Sequence, residues 1–417
     1  MNVTIEPGVL RGRVRAIASK SDVHRLLIAA ALSREESCLP WENPSKDMWT
    51  TLRCLAALGA EIRVEGGVCR IRAGKPPESA VLCCGESGST LRFLLPVATA
   101  LGVCSCFTGE GRLPERPQGP LLDALAANGC RITGRRLPLR LEGGLRPGVF
   151  SLPGSVSSQF VSGLLFALPL LPGDSRIELS SPLESAPYVE MSLSTLARFS
   201  VTVEKTPGGY RVPGGQRYRS PGQLRPEGDW SNAAFWLCAG ALGGEVTVEN
   251  LSLSSAQGDR AVVQALEAMG ARVETGEDWV RVGGLGLRGV RQDLRQTPDL
   301  GPVLALTAAF AQGESRLSGV QRLRMKESDR LEAVVQALQA LGMEAKAGED
   351  ELELPGGGLE GGACEGFGDH RMVMALAVAA TACRGEVTIL GAQAVDKSYP
   401  GFFRDFERLG GKIQWHP

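Results

Sequence analysis

Aromatic residues are scarce in this 417-residue sequence, at 5%, and histidine is scarcer still, with three in all. His24, His370 and His416 lie too far apart in sequence to form a local metal motif, and neither metal nor cofactor is expected. A basic excess is missing too: 45 Lys and Arg stand against 46 Asp and Glu, a net charge of −1. No global field recruits nucleic acid, so any bound anion must be held by a local cluster of cations. Hydrophobic runs are short. The longest uncharged stretch, 147–173, is interrupted by Pro153, Pro169 and Pro172. Its apolar part, 160–171, falls short of the roughly 20 residues that a membrane span needs. The opening residues 1–6 lack the basic-then-apolar pattern of a signal peptide, so a cytoplasmic protein with no membrane partner is expected. The eleven cysteines are odd in number and show no C-x-x-C spacing. They read as small buried hydrophobes and neither as a disulfide framework nor as a zinc knuckle.

What is present is repetition. AVVQAL occurs at 261–266 and at 333–338, and GED at 276–278 and 348–350, both offset by 72. Weaker copies of the same phrase run along the chain: an apolar helix end, a small residue, then a strand. The small residues are Gly59, Gly129, Ser200, Gly270, Gly342 and Gly410, spaced 70, 71, 70, 72 and 68 apart. A left-handed turn after a helix accounts for them, since glycine makes it without a Cβ clash. Alternating apolar residues around 66–67 and 276–278 predict hairpins, and each copy holds an earlier apolar helical run. The unit is β-α-β-α-β-β, six of about 70 residues fill the chain, and the packing expected is three units around a common core, twice.

The starts of the first helices are small and polar, anchored at Ser21, Gly88, Ser157, Asp229, Asp299 and Asp369. Capping explains each singly. Together, near-symmetric units point equivalent helix ends the same way, and converging N-termini make an anion site. Lys20, Arg25, Arg92 and Arg371 add cations there that capping does not require. At a second-helix start, Arg322, Arg324, Lys326, Glu327, Asp329 and Arg330 crowd into nine residues. Cations at the positive end of a helix oppose its dipole, which is understandable if bound anions supply the negative charge. Glu327 among them is a candidate titrating group.

The segments SKSDVHR, GESGSTLR, RLPERP, SSQF, SAPY, TPD, KESDR, GDHRM and DKSYP, between Ser19 and Pro400 in that order, resemble the enolpyruvyl transferases, and within them those acting on shikimate 3-phosphate. The resemblance implies an α/β fold of two similar domains, each three βαβαββ units around a pseudo-threefold axis. One domain would span 14–226. The other would span 1–13 and 227–417, with hinge crossings near 13–20 and 225–229. It implies transfer of the enolpyruvyl group of phosphoenolpyruvate to the 5-hydroxyl of shikimate 3-phosphate, with release of phosphate through a tetrahedral intermediate.

Carried over by motif, Lys20, Gly88, Arg116, Gln159, Arg330, Arg371 and Lys397 would hold phosphoenolpyruvate. Lys20, Ser21, Arg25, Ser157, Ser158, Gln159, Ser185, Asp299 and Lys326 would hold shikimate 3-phosphate, with Tyr188 and Arg322 as neighbours. Asp299, Glu327 and Lys20 would move the protons. No cofactor is implied, a monomer is expected, and Gly88 implies inhibition by glyphosate. Glu86 and Arg322 stand where the family usually has Asn. One alternative is a transferase acting on UDP-N-acetylglucosamine, whose first-half mobile loop carries a Cys that 109–117 lacks. Another is an RNA 3′-phosphate cyclase, which needs a nucleotidylated His for which His24 and His370 are poor candidates. A catalytically silent anion-binding protein is the third.

Overall fold

One residue at the end of the second helix of each repeat turns the chain into the next strand. Gly59, Gly129, Ser200, Gly270, Gly342 and Gly410 all have φ between 59° and 102°, where a side chain strains the backbone and glycine does not. At Gly59 the demand is also steric, because a Cβ would lie 2.3 Å from the Lys75 carbonyl oxygen. In the first five repeats the chain then enters a hairpin, such as Glu61–Glu65 against Val68–Arg72 and Arg272–Thr275 against Trp279–Gly283.

The computed structural model describes residues 1–284 and 286–416. The first helices of the six repeats are α1 (Lys20–Leu32), α3 (Gly88–Ala100), α5 (Ser158–Ala167), α7 (Trp230–Ala241), α9 (Gly301–Ala308) and α11 (His370–Ala380). The second helices are α2 (Lys46–Ala57), α4 (Gly119–Ala127), α6 (Ala186–Arg198), α8 (Val262–Ala268), α10 (Arg330–Ala340) and α12 (Phe402–Arg408). The first set packs inside each unit, polar at its starts and apolar beyond them: every residue of α7, α9 and α11 is buried. The second set is amphipathic, as expected of helices with one face in solvent. α2, for example, buries Met48, Leu52 and Leu55 while Arg53 is exposed.

Each repeat builds one sheet. In the second, Ser79–Cys83 lies parallel to Cys104–Thr108, with α3 as the crossover that parallel neighbours require. Cys104–Thr108 pairs antiparallel with Leu139–Glu142, and that strand with Arg131–Thr133. The third and fifth repeats have the same order. The other three complete themselves with distant segments. Arg11–Arg15 is the outer strand of the fourth sheet, parallel to Glu245–Glu249. Asn2–Glu6 sits between Val387–Leu390 and Lys412–His416 in the sixth. The first sheet has three strands, and the segment at 222–224 flanks it through Cys38 N–H to Gly222 O and Leu224 N–H to Cys38 O, both 2.8 Å. Six linear copies thus become two α/β units of three sheets each.

The units are Lys20–Pro226, and Met1–Ser19 with Glu227–Pro417. The first crossing therefore falls at 19/20, inside the stretch 13–20 given for it from the sequence. Pairing sets its position: after Arg11–Arg15, Ala16 N–H bonds Glu249 O at 2.9 Å, Asp229 N–H bonds Ile17 O at 2.9 Å, and Ser19 N–H bonds Glu227 O at 2.8 Å. Eight of the eleven cysteines are buried, Cys104 and Cys106 are half-buried and Cys83 is exposed; all eleven are thiols. Among the described residues no helix is long and apolar enough to cross a membrane.

Ile5, fully buried in the strand that joins the two ends of the chain, makes this closure testable. Ile5→Ala should lower unfolding free energy in urea by about 2–5 kcal/mol; an unchanged transition would mean that Asn2–Glu6 does not hold the sixth sheet together.

Candidate active site

In the unit containing 227–416, the segments before α9, α10 and α11 bring three carboxylates to one buried guanidinium. Asp329 caps α10 by accepting from Glu332 N–H at 3.1 Å, and Asp369 caps α11 by accepting from Arg371 N–H at 2.9 Å. Asp299 lies in the short 3-10 turn Pro298–Leu300 before α9. Arg330, only 1% exposed, donates from Nε to Asp369 at 2.7 Å, from Nη1 to Asp299 at 2.9 Å and from Nη2 to Glu327 at 2.8 Å. Asp299 also receives Arg371 Nη2 at 3.0 Å and Lys326 Nζ at 3.1 Å. Ser328 donates to Asp369 at 3.1 Å.

The cations crowded before α10 are thus already matched in part by acids from elsewhere in the unit, and Arg330 faces carboxylates with all three of its nitrogens. Bound anions, to which the sequence reading looked for the missing negative charge, therefore need supply only part of it. Burial of the ionic cluster is tolerable because its charges are paired and hydrogen-bonded.

The electrostatic consequences differ by residue. Burial works to raise the Asp299 pKa, but Arg371, Lys326 and Arg330 outweigh it and hold the carboxyl well below its usual range. Asp369 is likewise opposed by burial, yet Arg330 brings it down to about 2. Lys326 goes the other way. Burial, with Arg330 and Arg322 nearby, lowers it to about 8 although Asp299 pulls upward. Asp299, Lys326 and Glu327 keep 19%, 18% and 12% of their side chains exposed, whereas Arg330 is almost fully covered. Arg322 lies on the 3-10 segment Gln321–Met325, and buried Lys397 ends another, Ala392–Lys397.

The unit of 20–226 arranges its cations differently. Lys20 opens α1 and meets Asp47 Oδ2 at 2.9 Å. Arg25 is 2% exposed and donates to Ser192 Oγ at 2.9 Å and to the carbonyls of Ser21 and Tyr188, both at 2.6 Å, with its guanidinium carbon 5.1 Å from the centre of the Phe93 ring. Arg92 is its counterpart one repeat later. It donates to Gln118 Oε1 at 3.1 Å, Gln159 Oε1 at 2.8 Å, Ser157 Oγ at 3.4 Å and Pro117 O at 3.1 Å, over the Phe160 ring. Arg92 was read from the sequence as a helix-start cation, an arginine four residues past the anchor in both SKSDVHR and GESGSTLR, but was given to neither substrate; Gln118 stands outside the site read from the sequence.

Around them, Gln159 Nε2 donates to Ser89 Oγ at 2.9 Å, and Ser157 caps α5 by accepting from Gln159 N–H at 3.3 Å. Ser158 opens that helix and is buried. Gly88 is the first residue of α3, and a Cβ on it would fall 2.9–3.0 Å from the Arg116 guanidinium. Glycine is what lets that cation approach the helix start. Ser185, before α6, is buried at φ 54°, a strained conformation for serine of a kind that clusters at functional sites. The structure thus gathers Lys20, Ser21 and Arg25 along α1, Gly88 with Arg116, Ser157 to Gln159 through Arg92, and Asp299, Lys326, Glu327, Arg330 and Arg371 around one another.

Each of the two units holds three sheets, with Ser- and Gly-based helix starts in one and a carboxylate–guanidinium cluster in the other. The fold is that of the enolpyruvyl transferase NikO from Streptomyces tendae, with a TM-score of 0.79 at 20% identity over 99% of this chain and 98% of that one. Residues 5–406 match the EPSP synthase (3-phosphoshikimate 1-carboxyvinyltransferase) family, and the chain belongs to it. It is 41% identical to the 3-phosphoshikimate 1-carboxyvinyltransferase of Clostridium kluyveri, across 99% of this chain and 98% of the relative. With that of Aeropyrum pernix it shares 40%, across 99% and 96%. The EPSP synthase structure from Acinetobacter baumannii superposes with a TM-score of 0.83 at 25% identity, covering 99% of this chain and all of that one.

Asp369→Asn leaves Arg330 buried with one partner neutralised, and a loss of about 3–5 kcal/mol is expected near neutral pH. Because the folded pKa of Asp369 is depressed, its stabilisation is present above about pH 4 and fades as pH falls toward about 2. The gap between wild type and variant in urea unfolding should therefore close over that interval; a gap independent of pH would show that the carboxylate charge is not what stabilises.

Proposed function

We propose that this protein transfers the enolpyruvyl group of phosphoenolpyruvate to the 5-hydroxyl of shikimate 3-phosphate, releasing phosphate, in aromatic amino-acid biosynthesis by the shikimate pathway. The observation that carries the reading is full-length kinship at about 40% identity with enzymes of that name, in a chain that keeps Asp299 and Glu327 on one arginine.

In the unit of 20–226, Ser21, Ser157, Ser158, Gln159 and Ser185 offer neutral donors to shikimate 3-phosphate. Arg25 acts through the Ser21 and Tyr188 carbonyls it grips. Lys20, Gly88, Arg116 and Gln159 offer cations, a helix N-terminus and an amide to phosphoenolpyruvate, and Lys20 serves shikimate 3-phosphate as well. In the unit of 227–416, Lys326 and Asp299 address shikimate 3-phosphate, and Arg371, Lys397 and Arg330 address phosphoenolpyruvate. Fixed donors of this kind stabilise the charge of a tetrahedral intermediate without reorganising.

The proton chemistry follows from the charges. Asp299, held ionised by three cations, carries no proton to give. Its role is to orient the 5-hydroxyl and take up its proton as the oxygen attacks, with positioning compensating for its weak basicity; that proton later leaves with phosphate. The acid that protonates the methylene carbon is then Glu327, with Lys20 as the alternative carrier. The same group takes back a proton from the resulting methyl as phosphate leaves. The enzyme acts as a cytoplasmic monomer, and glyphosate competes with phosphoenolpyruvate beside Gly88.

Phosphate release from phosphoenolpyruvate with shikimate 3-phosphate, and enol ether formation, test the assignment; release only with UDP-N-acetylglucosamine would replace it. Glu327→Gln should keep both ligands bound yet lose at least about 100-fold in kcat, and unchanged turnover would remove Glu327 from the reaction. Lys326, titrating at about 8, should make kcat/KM for shikimate 3-phosphate fall as pH rises through that value, because the neutral amine no longer attracts the anion. Lys326→Arg should extend the plateau upward; an identical alkaline limb in the variant would assign it to another group.

A further inference from the structure

Beneath the starts of α1 and α3 runs a polar chain to which the substrate-binding and proton-transfer roles give no part. Lys20 and Asp47 join α1 to α2 at 2.9 Å, and one turn further along both helices His24 Nδ1 meets Thr51 Oγ1 at 2.6 Å. Residues four apart share a helix face, so the two contacts are successive rungs between the same helices. The second rung continues. Thr51 Oγ1 lies 2.6 Å from Thr90 Oγ1, and Thr90 donates its hydroxyl to Ser87 Oγ at 2.8 Å. Ser87 is the cap of α3, accepting Thr90 N–H at 3.3 Å, and Gly88 comes directly after it. His24, Thr51 and Thr90 are 0% exposed and Ser87 is 1% exposed.

Proton accounting orders this chain. Each hydroxyl has one proton. With Thr90 donating to Ser87, the Thr51 proton must go to Thr90, and Thr51 must in turn accept from His24. The imidazole is then the Nδ1–H tautomer. It is neutral: burial drives its pKa to about 3, in spite of Asp47. A neutral, fully enclosed chain is unscreened by solvent, and interrupting it strands buried polar atoms. At the far end of the chain the Arg116 guanidinium sits against Gly88, 2.9–3.0 Å from where a Cβ would be, so the helix start that the chain caps is also the one that this cation approaches.

We propose that His24, Thr51 and Thr90 are positioning residues whose buried chain holds the Lys20 ammonium and the Gly88 helix start at a fixed separation, and so sets affinity for phosphoenolpyruvate more than for shikimate 3-phosphate. The inference rests on the proposed transferase function. Lys20 serves both substrates in that reading, whereas Gly88 and Arg116 serve phosphoenolpyruvate alone, so a disturbance passed to α3 separates the two.

Thr51→Val keeps the shape and removes the hydroxyl in the middle of the chain. Its KM for phosphoenolpyruvate should rise on the order of tenfold while that for shikimate 3-phosphate stays within about twofold, and Thr51→Ser should restore both. Thr90→Val breaks the chain one link on and must give the same split should Thr51→Val not accumulate folded. An unchanged KM for phosphoenolpyruvate, or an equal rise in both constants without rescue by serine, overturns the proposal. Wild-type enzyme assayed in the same series separates the two layers. No phosphate release from wild type overturns the functional reading and this inference together, whereas an active wild type with an unaltered Thr51→Val overturns the inference alone.

Discussion

A guanidinium cannot shed its proton at any ordinary pH, so an arginine that is 1% exposed commits the structure around it to supplying negative charge. Arg330 makes that demand, and three separate segments answer it: the turn before α9 with Asp299, the run before α10 with Glu327, and the cap of α11 with Asp369. Their meeting point fixes the relation of three helix starts to one another. It also fixes the protonation of the acids, because the cations that hold Asp299 and Asp369 in place keep them ionised.

The other unit solves the same problem of buried arginine with neutral partners. Arg25 and Arg92 are satisfied by hydroxyls, carbonyls and amide oxygens, and each rests on a phenyl ring. Burial lowers Arg25 to about 10, which leaves it charged at neutral pH. Neutral acceptors satisfy hydrogen bonds without cancelling charge, so these two cations still contribute positive potential to any anion nearby. Buried arginine is thus satisfied by carboxylates around Arg330 and by hydroxyls, carbonyls and amide oxygens around Arg25 and Arg92.

The repeat was legible because it rests on local rules. Six left-handed residues at near-constant spacing, first helices apolar beyond their starts and Gly-centred hairpins each depend on a few neighbouring residues. The features that stayed hidden depend on pairing across distance. Arg11–Arg15 reads as a charged, exposed stretch, and nothing within it says that it will lie parallel to Glu245–Glu249; the boundary at 19/20 is a consequence of that pairing. The cations before α10 read as awaiting external anions because Asp299 and Asp369 are 31 and 39 residues from Arg330. Their being helix-start acids was visible, and their being its partners was not. His24 and Thr51 were illegible for a similar reason, since a histidine inside an apolar helix and a threonine inside an amphipathic one signal nothing until a third helix brings Thr90 between them and the cap of α3.

The six helix-start anchors divide by chemistry along the same line as the units: Ser21, Gly88 and Ser157 in one, Asp229, Asp299 and Asp369 in the other. Either kind suits a helix start, so capping alone does not select between them. The difference lies in what remains for a ligand. A serine cap or a glycine satisfies local geometry and leaves the partial positive charge of the helix end to attract an anion. An aspartate offsets that charge internally and presents a carboxylate in place of an anion site. Repetition of one βαβαββ unit therefore supplied six equivalent positions, and the identity of a single residue at each decides whether that position carries a carboxylate. A neutral total of charges across the chain is the sum of these two opposite choices.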